Sequence, residues 1–253
     1  MEEINLYQGD CLEVMKSIPD KSIDLTVTSP PYDNLRNYNG YSFDFEGIAK
    51  ELYRVTKDGG VVVWVVGDAT VNGSETGTSF KQALYFKEIG FNLHDTMIWQ
   101  KSASTNPSFN RYNQNYEYMF VLSKNKPKTF NPIKDKPNKH FGVKNHGTKR
   151  QKDGTTKPMS EKQKNTIIAE FGMRNNVWML MEEKHKNKNH PAAYPEQLVK
   201  DHIISWSNKG DTVLDCFLGS GTTGKVAKEL GRKFIGIEIS QEYLEIAKNR
   251  IYG

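Results

Sequence analysis

The sequence predicts an α/β chain built on a seven-stranded, mostly parallel, doubly wound sheet, and three observations lead there. Apolar runs bounded by turn residues alternate with helical patterns along most of the chain. Near the C-terminus, DTVLDCFLGSGTTGKVAKELGRKFIGIEIS reads as strand, glycine turn, helix and strand. With 253 residues of ordinary apolar, aromatic and charged content, the chain is long enough to bury one large core.

The elements follow in order. A first strand is expected near 3 to 8, then a helix over 11 to 18 that Asp10 and Glu13 can cap as a pair. The β-branched run IDLTVT makes a strand of 23 to 28, and Pro30 and Pro31, which lack N–H groups, end it at the carboxyl edge of the sheet. A helix over 44 to 56 runs toward Gly59 and Gly60, and a strand over 60 to 66 follows. The helix over 78 to 89 stops at Gly90, and strands lie near 93 to 100 and 116 to 122. After a polar interruption come a helix over 196 to 207, with Pro195 where a first-turn proline is tolerated, and a strand over 212 to 217. A helix over 222 to 230 runs into Gly231, followed by a strand over 233 to 238 and a last helix over 241 to 251. Each glycine stands where a left-handed residue closes a helix. No internal repeat is present.

Composition excludes several classes. The longest uninterrupted apolar run, Val61 to Val66, is too short to span a bilayer, and MEEINLYQGD has neither the basic start nor the apolar stretch of a signal peptide. A cytoplasmic location with no membrane partner is the default expectation. Cys11 and Cys216 make neither a disulfide framework nor a metal site, so both are expected reduced and no metal is expected. Charge is unevenly spread. Lys124 to Lys188 holds 15 Lys and 2 Arg against 6 Asp and Glu, a net of +11, which leaves −6 for the rest of a chain of net charge +5. A solvated face is the ordinary reading of lysine-rich sequence, but the contrast with an acidic remainder favours a polyanion such as nucleic acid, through counterion release. Residues 124–188 are therefore expected to form a small basic lobe beside an α/β domain of 1–123 and 189–253.

Gly219, Gly221 and Gly224 fit G-x-G-x-x-G, with a strand before, a helix after and Glu238 at the end of the next strand to accept from ribose hydroxyls. A nucleotide triphosphate loop fails here, because Val226 occupies the position of the magnesium-binding hydroxyl. A nicotinamide dinucleotide suits the glycines, yet the carboxylate of Asp215 lies where its pyrophosphate would be. That carboxylate suits a cationic nucleoside cofactor such as S-adenosylmethionine. Because the glycines come so late in the chain, the other strands must come from upstream, and the fold is circularly ordered.

With these motifs the sequence resembles the amino-methyltransferases that modify exocyclic amines of DNA bases. Ser29, Pro30, Pro31 and Tyr32 match the family's catalytic motif [D/N/S]-P-P-[Y/F/W], and Asp215 to Thr223 resemble its cofactor motif. A catalytic motif before the basic region and a cofactor motif after it is the order of the family's β group. The resemblance implies a Rossmann-like methyltransferase fold, S-adenosylmethionine as cofactor, double-stranded DNA as partner, and a role in DNA methylation of the kind found in restriction–modification systems. It implies that the Ser29 hydroxyl oxygen and the Pro30 carbonyl accept hydrogens of the target amine, that Pro31 stiffens the turn, and that Tyr32 stacks on a base flipped from the duplex. It implies cofactor contacts by Asp10, Asp215, Phe217, Gly219, Ser220, Gly221, Thr222 and Glu238. HPAAYPEQL, 190 to 198, resembles the segment near the cofactor's methionine end, and Trp99, Lys101 and Tyr116 to Lys124 resemble strands beside the target-base pocket. Serine at the first motif position points in this family to cytosine N4 over adenine N6. A recognition region this small is compatible with a homodimer, although the oligomeric state itself is not legible. A non-catalytic DNA-binding protein and a nicotinamide-dependent oxidoreductase are the alternatives from other classes. The recognition sequence, and whether a restriction enzyme accompanies the chain, are not legible.

Overall fold

The computed structural model of the chain describes residues 3–31, 43–102, 110–145, 147–181 and 194–253. These divide into two compact units, Met1–Asn131 with Asn176–Gly253, and Pro132–Asn175. The first unit opens with β1 (Ile4–Gln8), α1 (Cys11–Met15), β2 (Ile23–Thr28), α2 (Phe45–Val55) and β3 (Thr56–Val66). A hairpin of β4 (Thr70–Val71) and β5 (Ser74–Glu75) precedes α3 (Thr78–Glu88), β6 (Asn92–Gln100) and β7 (Tyr116–Ser123). The second unit holds β8 (Lys134–Pro137), β9 (Thr148–Arg150), β10 (Thr156–Pro158), α4 (Glu161–Lys164) and β11 (Phe171–Met173). The first unit resumes with β12 (Val177–Met179), α5 (Glu196–Trp206), β13 (Thr212–Asp215), α6 (Thr222–Glu229), β14 (Lys233–Glu238) and α7 (Gln241–Tyr252).

The main sheet has the order β1-β14-β13-β2-β3-β7-β6-β12. It is a mixed sheet of eight strands, which corrects the expected seven. β7 runs antiparallel to both of its neighbours, β3 and β6. The additional strand, β12, pairs parallel with β6 through Val177 to Met179. Three residues, of which only Trp178 is buried, carry no readable alternation, and they lie in sequence assigned to the basic lobe. Gly59 also departs from expectation. Helix α2 ends at Val55, and Gly59 adopts φ +83° inside β3, a strand that begins four residues earlier than expected.

The sheet is covered on both faces, as long apolar central strands require. From Val61 to Val66 every residue of β3 is buried. Val61, Val63 and Val65 pack with Leu198, Ile203, Val226 and Ala247 of α5, α6 and α7, while Val62, Trp64 and Val66 pack with Ile48, Leu52 and Phe86 of α2 and α3. Each such side chain contributes about 1.5–3 kcal/mol by leaving water. Among the described residues no helix is long and apolar enough to cross a membrane.

The core also holds a histidine. His202 of α5 is fully buried, with Nε2 3.3 Å from the Met119 sulfur and its ring 4.6 Å from that of Trp178. Its Nδ1 has no hydrogen-bond partner among the described residues. Burial lowers its pKa from 6.5 to about 3. The folded protein therefore keeps this histidine neutral where the unfolded chain protonates it, so stability is lost as pH falls from the ordinary histidine range toward that value. His202→Leu should abolish this pH dependence. Relative to the variant, the wild type should lose about 2–3 kcal/mol in urea unfolding between about pH 7 and about pH 4.

Candidate active site

The carboxyl ends of β1, β14, β13, β2 and β3 lie at one edge of the sheet, since all five run parallel. Open α/β sheets bind ligands at this edge. Every described residue that the sequence singles out in its two motifs lies here. Ser29 follows directly on Thr28, the last residue of β2, and is half-buried; Pro30 is buried and Pro31 half-buried. Tyr32 lies outside the described residues, as do 190–193 of HPAAYPEQL.

Asp215, the last residue of β13, is completely buried and is the knot of the site. Its Oδ1 accepts from the Thr28 hydroxyl at 2.7 Å and from the Phe217 N–H at 3.1 Å. Its Oδ2 accepts from the Thr223 hydroxyl at 2.6 Å and from the Tyr194 hydroxyl at 3.1 Å. Burial pushes the Asp215 carboxyl above the ordinary aspartate range, and the four donors oppose that shift by stabilising the anion. Both oxygens are thus spent on protein donors. The carboxylate acts by joining the strand that carries Ser29 to the glycine loop and to the segment before α5. An unmatched charge at this depth would cost several kcal/mol, so the four donors are a requirement of burial.

The glycine loop is shaped by protein contacts. Gly221 caps α6 at φ +81°, and a Cβ there would lie 2.9 Å from the Ala247 backbone of α7. At Gly224 a Cβ would meet the Ile251 and Phe234 side chains at 2.4 and 2.7 Å. Close packing of the loop and α6 against α7 and β14 therefore demands glycine at both positions. The buried hydroxyls of Ser220 and Thr222 both accept from Arg250 Nη1, each at 3.0 Å, and Arg250 Nη2 reaches Glu196 at 2.8 Å. Lys225 completes the cluster with bonds of 2.8 and 2.9 Å to the same carboxylate. Pro195 caps α5 and Glu196 is its first residue, one position away from the expected first-turn proline.

Two acids and an aromatic ring line the same edge. Glu238 accepts from the Gly219 N–H at 2.8 Å and from the Ser240 N–H at 2.9 Å, and burial raises its pKa. Asp10 caps α1 through Oδ1, at 2.9 Å from the Leu12 N–H, and is otherwise exposed. The Gly9 N–H donates to the Glu238 carbonyl at 3.0 Å, so the two acids sit side by side. Carboxylate oxygens accept two hydrogen bonds each, which leaves both acids able to take hydroxyl donors such as those of a ribose. Phe217, half-buried, packs its ring 5.8 Å from Phe43 and 6.2 Å from Trp64. Ribose acceptors, a ring face and a net-negative edge suit a cationic nucleoside better than a pyrophosphate.

Sequence reasoning missed Thr28 and Arg250 as site residues, and it placed Thr223 and Tyr194 within the motif segments without assigning their side chains a partner. Thr28 looks like any β-former, and Arg250 and Tyr194 reach their partners across 28 to 54 and 21 to 29 residues respectively, with no local pattern to announce it. Trp99 and Lys101, at and just past the end of β6, lie at this same edge, since Ile98 and Val66 both stand opposite Tyr118 of β7; Trp99 is buried in the core, and Lys101 pairs with Glu117 at 2.5 Å.

Known proteins resemble this chain in sequence and fold. A family model described as DNA methylase, N6_N4_Mtase, matches residues 23–249. The orphan methyltransferase M.BamHII of Bacillus amyloliquefaciens is 57% identical over 244 residues, covering 93% of this chain and 91% of that protein. The DNA adenine methyltransferase YhdJ of Escherichia coli strain K12 is 31% identical over 268 residues, covering 99% and 83%. Among solved structures, TTHA0409 from Thermus thermophilus, complexed with S-adenosyl-L-methionine, superposes with a TM-score of 0.65 at 25% identity, covering 98% of this chain and 94% of that one.

Proposed function

Because this chain belongs to the N6/N4 DNA methylase family, we propose that it methylates the exocyclic N4 amine of a cytosine flipped out of duplex DNA, using S-adenosylmethionine. The observation that carries this reading is the 2.7 Å hydrogen bond from Thr28 to Asp215. It ties the residue before Ser29 to the strand that opens the cofactor loop, so the acceptors of the catalytic turn and the donor of the methyl group meet at one edge. When bound, S-adenosylmethionine supplies a methyl group activated by its sulfonium. Asp10 and Glu238 would take its ribose hydroxyls, Phe217 its ring, and the Gly219–Thr222 backbone its amino-acid end.

The amine of cytosine is a weak nucleophile, because its lone pair is delocalised into the ring. The Ser29 hydroxyl oxygen and the Pro30 carbonyl accept its two hydrogens, draw the nitrogen toward tetrahedral geometry and localise that pair toward the methyl carbon. Held by these two acceptors, the nitrogen would gain the methyl group that the bound sulfonium supplies and release one of its protons to water. Positioning and fixed dipoles supply the acceleration. Pro31 keeps the acceptors aimed, and Tyr32 stacks on the flipped base. Within residues 124–188 the compact unit Pro132–Asn175 would serve as the target-recognition region, while 1–123 and 189–253, with β12, form the catalytic domain.

Serine in place of aspartate or asparagine at position 29, together with HPAAYPEQL, supports cytosine. Adenine N6 is the second reading, favoured by the 31% identity to an adenine methyltransferase. To test the class, S-adenosylmethionine with a radiolabelled methyl group is given to the protein with mixed-sequence duplex DNA. Labelled DNA is the expected result. Cofactor binding without label would favour a non-catalytic DNA binder, and calorimetric binding of a nicotinamide dinucleotide would favour an oxidoreductase.

A further inference from the structure

The second unit contains no buried residue among those described from 132 to 175, so its surface is what it has to offer. Its 9 Lys and 2 Arg against 4 Asp and Glu give it a net charge of +7. Some of these cations are answered within the unit: Arg174 bonds to Asp135 through Nε at 2.8 Å, and Lys164 pairs with Glu161 at 2.9 Å. The two-stranded ribbon of β9 and β10 differs. Lys149, Arg150, Lys152 and Lys157 fall within it or its connecting loop, and among the described residues none of them pairs with an acid. Its one acid, Asp153, is held in the loop, where Oδ1 accepts from the Thr155 N–H at 3.0 Å and the Thr155 hydroxyl at 2.7 Å.

The register of the ribbon sharpens the point. Lys149 stands directly opposite Lys157, and Arg150 opposite Thr156. Cross-strand partners share a face, so two ammonium groups are set side by side, an arrangement that destabilises an isolated ribbon. All six residues of the two strands are exposed, so no burial compensates for it. A phosphate between the two ammonium groups turns the repulsion into attraction. A two-stranded ribbon also has dimensions that the major groove of B-form DNA admits.

We infer that the β9–β10 ribbon is the element that engages duplex DNA, with Lys149 and Lys157 as a pair clamping backbone phosphate. This rests on the reading of DNA as the substrate and names the segment that holds it. The test uses the full chain and a mixed-sequence duplex, with affinity measured by fluorescence anisotropy over a series of salt concentrations. Losing two phosphate contacts should make the slope of log affinity against log salt shallower by about 2 in Lys149→Ala/Lys157→Ala. Lys149→Arg/Lys157→Arg should keep the wild-type slope. The control Lys162→Ala/Lys164→Ala removes the same charge from α4 of the same unit and should leave the slope unchanged.

An unchanged slope in Lys149→Ala/Lys157→Ala, or an equal shift in the α4 control, would overturn the proposal, the latter because bulk charge would then explain binding. Equal affinity for single-stranded RNA, with the same loss in the double variant, would overturn the assignment to duplex DNA. Methyl transfer by the wild-type protein is assayed on the same duplex. Transfer with an unshifted slope defeats the ribbon alone, whereas a shifted slope without transfer defeats the methyltransferase reading alone.

Discussion

Ser29→Ala should lose roughly two orders of magnitude in kcat, the scale on which a single preorganised polar group acts on a developing charge. Its affinity for S-adenosylmethionine should stay within about twofold, under 0.5 kcal/mol. The split follows from position. Ser29 lies one residue past β2 and, in the proposed mechanism, offers its oxygen to the amine, while β2 meets the strand before the glycine loop through Thr28. Single-turnover methyl transfer at saturating cofactor, with calorimetry for binding, reads both quantities. Turnover near wild type would remove the hydroxyl from the mechanism and leave the Pro30 carbonyl as the sole acceptor. A joint collapse of binding and turnover would instead mean that Ser29 shapes the loop.

Asp215→Asn should do the reverse, damaging the frame before the chemistry. The amide is nearly isosteric, but its NH2 faces two of the four donors that now converge on the carboxylate. Hydroxyls of Thr28, Thr223 and Tyr194 can turn to accept, whereas the Phe217 N–H cannot. Losing charge-assisted bonds in a fully buried site should cost about 2–3 kcal/mol of stability. The Gly219–Thr223 loop hangs from this knot, so cofactor affinity should fall at least about tenfold, equivalent to 1.4 kcal/mol. Denaturant unfolding and calorimetry on the same preparation test both. A variant with unaltered stability and affinity would show that the carboxylate's charge is not what holds the loop.

These two substitutions also mark what could be read from sequence. Ser29 to Pro31 and the glycines announce themselves, because prolines after a β-branched run and glycines between strand and helix are local patterns. The hydrogen bonds to Asp215 do not. Thr28 belongs to the strand pattern, and Thr223 and Tyr194 fall in motif segments with no local sign of their partner; the parallel register of β2 beside β13 is what brings Thr28 to Asp215. Arg250 is legible as one more basic residue in the last helix, and its bonds to Ser220 and Thr222 depend on how α7 packs on the loop. The ribbon of the second unit escaped for another reason. Its strands are three residues long and solvated on both faces, so neither alternation nor apolarity marks them. β12 is equally short and showed itself only through its pairing with β6.

In the proposed mechanism Ser29 and Pro30 present cytosine N4 to the methyl group of S-adenosylmethionine. The most direct measurement is to incubate the protein with that cofactor and mixed-sequence duplex DNA, digest the product to nucleosides and identify the methylated species by mass spectrometry. N4-methylcytosine is the predicted result. N6-methyladenine as the product would contradict the assignment drawn from Ser29 while keeping the family, and a digest with no methylated nucleoside would contradict the enzymatic reading itself.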